Sequence, residues 1–196
     1  MPHRFLQKLK YLLKWRRHYD AEFASLPDRQ IYDEEILPYF SQLLGNEDRI
    51  LDIGCEWYNL HHQRHFRAKD YHTLDILPDR AAFGGKKHVV GSALELDQHF
   101  PQGSMALVLL NGIFGWGVNG EEEQKQLVVQ LAHVLREGGY LLVGWNDTEA
   151  NRPERPPGEL LVNAGFQPWV FPPRGAETLL ANEATGHTFE FYRLSS

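Results

Sequence analysis

Two acidic residues and a glycine stand at a spacing suited to holding a nucleoside. The run Asp52-Ile53-Gly54-Cys55 contains a glycine that lets the backbone approach a ligand closely. Asp75 follows roughly 20 residues later, and a carboxylate at that distance can accept hydrogen bonds from both hydroxyls of a ribose. The pattern predicts a nucleoside site between the loop after residue 53 and Asp75.

The segments around these residues predict an α/β fold. Short apolar runs indicate strands, and residues 121–137 have three acids in the first turn, an apolar stripe and two terminal glycines, as expected of a helix. The strands flanking that helix should be parallel. In a doubly wound sheet, ligands bind beyond the carboxyl ends of the strands, where both acids would lie. The predicted strands are 49–53, 71–75, 87–90, 105–110 and 140–145.

The two ends of the chain differ from this middle part. Residues 2–15 form a basic amphipathic pattern, which favours a helix packed on its own domain over one lying on an anionic surface. A second helix is expected at 28–44. The tail contains strand-like runs at 166–171 and 188–194, separated by a predicted loop at 172–186. We therefore assign residues 1–45 to a helical segment packed on the same domain and residues 46–196 to the ligand-binding domain.

Composition narrows the classes of function. A chain of 196 residues with 42% hydrophobic residues can bury one core, and a net charge of −6 argues against a nucleic-acid partner. Cys55 is the sole cysteine, so no intrachain disulfide can form and a cytoplasmic location is expected. The longest apolar run, 105–118, is interrupted by Asn111 and glycines, so we expect no membrane span.

The order of segments resembles the class I S-adenosylmethionine-dependent methyltransferase family from about Arg49 onward. The run from Ile50 to Cys55 looks like the first motif of that family, and Leu74-Asp75-Ile76 looks like its ribose-binding acid. Val90-Gly91-Ser92-Ala93-Leu94 is similar to the loop at the adenine edge, and residues 131–143 are similar to the family's helix and fifth strand.

The resemblance implies a Rossmann-like doubly wound sheet of about seven strands, mostly parallel, with a C-terminal antiparallel hairpin and preceding N-terminal helices. It also implies S-adenosylmethionine as cofactor. Asp52 would organise the first loop, Gly54 would face the methionine part and Asp75 would hold the ribose. Further cofactor contacts are implied for Cys55 in the first loop, for Ile76, Ser92, Ala93 and Leu94 around adenine, and for Asn111 near the sulfonium.

The first and third motifs depart from the family pattern. Glu56 and Tyr58 stand where members usually have further glycines, and Ser92 stands where an acid is usual. The same loop lacks the three-glycine run of a nicotinamide site, which argues against hydride transfer. Glu56 motivates an alternative, a non-catalytic protein that binds a nucleoside or a protein partner.

The loop after the fourth strand is the predicted substrate pocket. Asn111, Phe114 and Trp116 combine an amide with two aromatic rings, although the aromatic pair can equally cap the core. His61 and His65 have a spacing that can bind a metal, but a solvated helix face that includes His62 is favoured, so no metal is predicted.

Methyl transfer chiefly requires alignment of the nucleophile, the methyl carbon and the sulfur. We therefore predict transfer to an oxygen or nitrogen of a small molecule, and assign no catalytic base. A second alternative is an enzyme that reaches a lipid-linked substrate at a membrane surface through the N-terminal helix. The acceptor and the oligomeric state stay open.

Overall fold

The computed structural model describes residues 25–195, which fold around one sheet. Its strand order is β3-β2-β1-β4-β5-β8-β6, and β7 also pairs with β8. Strands β1 to β5 are parallel, whereas β8 is antiparallel to its neighbours. The predicted α/β sheet with an antiparallel C-terminal part is confirmed. The strands are β1 (Arg49–Ile53), β2 (Asp70–Asp75), β3 (Lys87–Val90), β4 (Met105–Asn111), β5 (Leu135–Asn146), β6 (Phe166–Pro168), β7 (Thr178–Asn182) and β8 (His187–Leu194).

Helices cover both faces of this sheet. Helix α1 consists of Pro27–Gln30 and Leu37–Leu43, joined by a π-helical segment at Ile31–Ile36. Helix α2 is Glu121–Val134 and helix α3 is Pro157–Asn163. Shorter 3₁₀ segments follow β1, β2 and β3 at Trp57–Arg64, Pro78–Ala82 and Ala93–Gln98.

Strand β4 shows why the sheet is covered on both sides. Successive side chains of a strand point to opposite faces, and every residue of β4 except the last is buried. Leu107 and Leu109 pack in an apolar cluster with Ile36 of α1, whereas Val108 and Leu110 pack with Leu127 of α2. A continuous apolar run therefore becomes a central strand between two helical layers.

Helix α2 ends earlier than predicted. Its last residue is Val134, not Glu137, because Leu135 already has an extended conformation and pairs with Met105 of β4. Strand β5 consequently begins at Leu135, five residues before the predicted start at Tyr140. The terminal glycines lie inside the strand, where Gly138 has a φ of +67°.

The C-terminal region contains a strand that the sequence did not indicate. Residues 172–186 were expected to form a loop, but β7 lies within them and pairs with β8. The predicted strand at 166–171 is shorter, since β6 ends at Pro168 and Phe171 makes one isolated bridge to Ala176. Strands β6 and β7 therefore follow one another along the same edge of β8.

The predicted basic helix at 2–15 lies outside the described residues, so the assignment of residues 1–45 as one packed segment stays a prediction. Within residues 25–195, no helix is long and apolar enough to cross a membrane. The described helix α1 packs against the sheet through Tyr32, Ile36, Leu37 and Phe40, all of which are buried.

Candidate nucleoside-binding site

The carboxyl ends of β1, β2 and β3 bring the predicted ligand residues together. The Gly54 amide donates to the Leu74 carbonyl at 2.9 Å, and the Gly91 amide donates to the Asp75 carbonyl at 3.0 Å. These bonds continue the parallel ladder by one residue beyond each strand. The loops after three neighbouring strands therefore start side by side, at the edge where a doubly wound sheet binds ligands.

Asp75 is fixed by the backbone of two of these loops. Its Oδ2 accepts the Cys55 amide at 2.7 Å, and its Oδ1 accepts the Leu77 amide at 2.8 Å. An ionised carboxylate has about four acceptor positions, so each oxygen can take a further hydrogen bond. Beside it, the side chain of Ile76 is 65% exposed. The arrangement presents an oriented pair of acceptors next to an uncovered apolar side chain.

Gly54 is the point at which the first loop requires a glycine. Its φ is +90°, which side chains disfavour, and an added Cβ would lie 3.0 Å from Cδ1 of Ile113. Ile113 belongs to the loop after β4, so two loops of the candidate site touch at this residue. The first loop therefore turns here without the additional glycines of related motifs.

Cys55 takes part in the candidate site through its backbone amide, which donates to Asp75, and not through its thiol. The residue is 4% exposed, and Sγ lies 4.0 Å from the Leu74 carbonyl oxygen. Burial, together with the negative charges of Asp52 and Asp75, raises the pKa of the Cys55 thiol far above its usual range. A protonated, buried thiol is a poor nucleophile, so the Cys55 side chain acts as a small apolar group in the core.

The two residues that replace glycines in the first loop are held by arginines. The Glu56 carboxylate forms an ion pair with the guanidinium of Arg80, which follows β2. The guanidinium of Arg29, in α1, lies 4.2 Å from the ring centroid of Tyr58. The first loop is consequently tied to the second loop on one side and to α1 on the other.

The loop after β3 is arranged by Ser92. Its Oγ accepts the Leu94 amide at 3.1 Å and so caps the 3₁₀ segment that begins at Ala93. Ala93 and Leu94 are partly buried against the core. Ser92 therefore shapes this loop through its side chain, which is a task that the sequence had not suggested.

Asn111, the last residue of β4, carries an unsatisfied acceptor. Its Oδ1 is buried, and among residues 25–195 it has no hydrogen-bond partner. The side chain lies against Gly144 of β5, where an added Cβ would be 2.1 Å from this oxygen. A buried acceptor without a partner costs free energy, so a partner for Asn111 would stabilise this end of β4.

The two aromatic residues of the predicted substrate pocket have different surroundings. Phe114 is fully buried in the core cluster with Val118, so it does not form an open wall. Trp116 is 60% exposed, and its indole N–H donates to Oδ1 of Asn146 at 3.2 Å. The structure thus separates the pair: Phe114 caps the core, and Trp116 offers a ring to solvent.

The predicted solvated face for the histidines of the first loop is wrong for His62, which is 1% exposed. The segment is 3₁₀ rather than α-helical, so the one-turn spacing of His61 and His65 does not apply. Both ring nitrogens of His62 instead face carboxylates, those of Asp33 and Asp52. Sequence reasoning missed Asp33 because it comes from α1, and no local pattern connects it with the loop.

No protein-family model matches the sequence, and no curated protein has a significantly similar sequence. Solved structures do share its fold. The N-methyltransferase NodS from Bradyrhizobium japonicum has a TM-score of 0.66 at 11% identity, over 88% of this chain and 99% of that one.

Two further structures extend the likeness. The 1,6-didemethyltoxoflavin-N1-methyltransferase of Burkholderia thailandensis, with S-adenosylhomocysteine bound, has a TM-score of 0.61 at 15% identity, over 100% of this chain and 91% of that one. The geranyl diphosphate C-methyltransferase of Streptomyces coelicolor has a TM-score of 0.59 at 12% identity, over 82% and 79% of the two chains. At these identities the likeness concerns the fold: this chain has the Rossmann-like fold of S-adenosylmethionine-dependent methyltransferases.

Proposed function

We propose that this protein is an S-adenosylmethionine-dependent methyltransferase acting on an oxygen or nitrogen of a small molecule. The observation that carries the proposal is Asp75, whose two carboxylate oxygens are oriented by the Cys55 and Leu77 amides at the carboxyl edge of the sheet. Two fixed acceptors suit the two vicinal hydroxyls of a ribose.

The neighbouring residues fit the rest of an adenosyl group. Exposed Ile76 offers an apolar surface for adenine, and the capped loop at Ser92, Ala93 and Leu94 would border the same ring. Gly54 leaves a backbone surface without a side chain for the methionine part, in a loop that Asp52 precedes. When bound, S-adenosylmethionine would supply an electrophilic methyl group. The protein would contribute orientation and exclusion of water.

The type of methyl acceptor is inferred from Asn111, the last residue of β4. Oδ1 of Asn111 has no partner in its buried position, and a rotation of the amide would let it accept a hydrogen bond from an O–H or N–H group and so orient the lone pair of that atom for attack. The exposed ring of Trp116 provides an adjacent surface for an apolar or planar substrate. Two of the similar structures are N-methyltransferases and one is a C-methyltransferase. The similar structures therefore do not decide the acceptor atom, and our proposal of an oxygen or nitrogen rests on Asn111. We place this activity in the cytoplasm, where a free buried thiol such as Cys55 is stable.

Isothermal titration with S-adenosylmethionine and S-adenosylhomocysteine tests the proposal. We expect both to bind at one site, and Asp75→Ala to weaken binding roughly 10- to 100-fold, because hydrogen bonds to a charged group contribute about 1.5–3 kcal/mol. Asp79→Ala is the matched control, since Asp79 is an exposed acid four positions further along. Absence of binding to both compounds, or equal affinities in the two variants, would overturn the assignment.

A second candidate, a non-catalytic module that binds a nucleoside, is favoured by the ion pair of Glu56 and Arg80. Ile113 also lies against Gly54, so both features narrow the region expected to hold the methionine part. Such a module would bind adenosine as tightly as S-adenosylhomocysteine. A methyltransferase would prefer S-adenosylhomocysteine, so comparing the two affinities separates the candidates.

A further inference from the structure

A compact group of metal-ligand side chains lies outside the candidate nucleoside site. Asp33 in the π-helical part of α1 meets His61 and His62 in the 3₁₀ segment after β1. Nε2 of His61 is 2.8 Å from Oδ2 of Asp33, and Nε2 of His62 is 3.3 Å from Oδ1. We call these three residues the histidine cluster. One atom of each lies within 4.8 Å of the others.

The 3.3 Å between His62 and Asp33 equals the separation of two ligands on a small cation, whereas the 2.8 Å between His61 and Asp33 is a hydrogen-bond distance that a bound ion would lengthen. Ligands placed about 2.0–2.1 Å from a tetrahedral zinc ion are separated from one another by about 3.3 Å. Asp33 Oδ1 is buried, and its 3.3 Å contact with Nε2 of His62 is longer than the roughly 2.7–2.9 Å of a usual charge-assisted hydrogen bond. The rings of His61 and His62 are nearly perpendicular, at 82°, although the residues are adjacent in sequence. Both present the same nitrogen to one carboxylate.

The remaining nitrogen of His62 has the partner that metal-bound histidines usually have. Nδ1 lies 3.4 Å from Oδ2 of Asp52, and that oxygen also accepts the Tyr71 hydroxyl at 2.6 Å. A carboxylate behind an imidazole fixes the ring and the position of its proton, which leaves Nε2 free to bind a metal ion. Asp52 is 4% exposed, so this support lies inside the protein.

The cluster is also accessible on one side. The side chain of His62 is 2% exposed, whereas those of His61 and Asp33 are each 17% exposed. Asp33 is placed by a π-helical turn, an uncommon element that occurs often at functional sites. Three protein ligands with one partly open side correspond to a site whose fourth position is left for water or another ligand.

We propose that Asp33, His61 and His62 bind one divalent transition-metal ion such as Zn²⁺, with Asp52 orienting the His62 ring. The ion joins α1 to the segment after β1. This proposal does not depend on the proposed methyltransferase function.

The test uses the full chain freed of metal by a chelator. We expect titration with Zn²⁺ alone to show one equivalent bound, and Co²⁺ to give visible absorption bands of a four- or five-coordinate site. His61→Gln and Asp33→Asn each remove a ligand. They should weaken Zn²⁺ binding by more than the roughly 10- to 100-fold that is typical when only a supporting carboxylate is lost.

His65→Gln is the matched control, because His65 directly follows the same 3₁₀ segment but does not belong to the cluster. It should retain the affinity of the unmodified protein. Circular dichroism of the metal-free forms establishes that the variants fold. Failure of the folded, unmodified protein to bind stoichiometric Zn²⁺ would overturn the proposal. So would Zn²⁺ binding that keeps its affinity in both His61→Gln and Asp33→Asn, whatever the result for His65→Gln.

Discussion

The candidate nucleoside site and the histidine cluster share the segment from Asp52 to Arg64, yet they are assembled in different ways. The candidate nucleoside site consists of loops that follow neighbouring parallel strands, and its central bonds join Asp75 to the amides of Cys55 and Leu77. The histidine cluster requires a side chain from α1, which reaches the loop only through packing on the opposite face of the sheet from α2. A site at the strand ends is thus predictable from strand order, whereas a site between layers is not.

The largest expected effect is a loss in the free energy of unfolding on substitution of Asp52, which belongs to the first loop and also contacts His62. In metal-free protein, Asp52→Ala leaves Nδ1 of His62 and the Tyr71 hydroxyl without their buried carboxylate partner. Removing one member of a buried pair typically costs about 3–5 kcal/mol, and we expect a loss of that size in the free energy of unfolding measured with urea. Asp79→Ala should change it by less than about 0.5 kcal/mol. A loss of less than about 1 kcal/mol for Asp52→Ala would show that the buried network contributes little.

His187 is a second buried histidine, and its pKa can be compared with that of His62 because, among residues 25–195, it lacks the two carboxylate contacts that His62 makes. Burial opposes protonation of His62, but the carboxylates of Asp33 and Asp52 outweigh it and raise the pKa of that residue. At His187, burial lowers the pKa to about 4, because burial and the repulsion of the nearby Arg29 together outweigh the attraction of Asp28.

His187 should therefore make the fold sensitive to acid. The unfolded chain takes up this proton near pH 6.5, so the stabilisation is present above that pH and is lost as the pH falls towards 4. The loss should reach about 3 kcal/mol. Urea unfolding between pH 7 and pH 4 should show a weaker pH dependence for His187→Asn, but not for a substitution of the exposed His99. Identical profiles for the unmodified protein and His187→Asn would contradict this expectation.

Crossed binding measurements determine whether the two regions are independent. Asp75→Ala should lower affinity for S-adenosylhomocysteine roughly 10- to 100-fold and leave the Zn²⁺ affinity unchanged, since Asp75 makes no contact with the histidine cluster. His61→Gln should show the reverse. Effects at separate sites without shared partners are usually additive. A large loss of both affinities in either variant would mean that the segment between the sites moves as one unit.

The smallest effect is expected at Glu56. Its ion pair with Arg80 joins two loops of the nucleoside site, but both side chains are about one-third exposed, at 33% and 27%. Glu56→Gln should therefore change the free energy of unfolding by less than about 1 kcal/mol. If the pair restricts the methionine region, affinity for S-adenosylhomocysteine should rise by up to about five-fold in the same variant, as measured by titration. A marked fall in affinity would instead show that the pair supports the ligand.

Much of the fold could be predicted because it depends on local patterns. Strand β4 was located from its continuous apolar run, and α2 was located from the three acidic residues in its first turn and its apolar stripe. Strand β7 was not, because its apolar residues lie between turn-forming residues and become a strand only by pairing with β8. Pairing between distant segments is a tertiary property, since the hydrogen-bonding partner lies elsewhere in the chain.

The sequence by itself determined which residues stand at the ends of the parallel strands. Asp52, Gly54, Asp75 and Asn111 lie within two residues of the ends of strands located from the sequence, and parallel strands bring their carboxyl ends to one edge. Tertiary structure decided what surrounds them. Packing of α1 brought Asp33 to His61 and His62, and it buried a histidine that the local pattern placed in solvent. Burial and charge are set by neighbours from other elements, and only the folded chain brings those neighbours together.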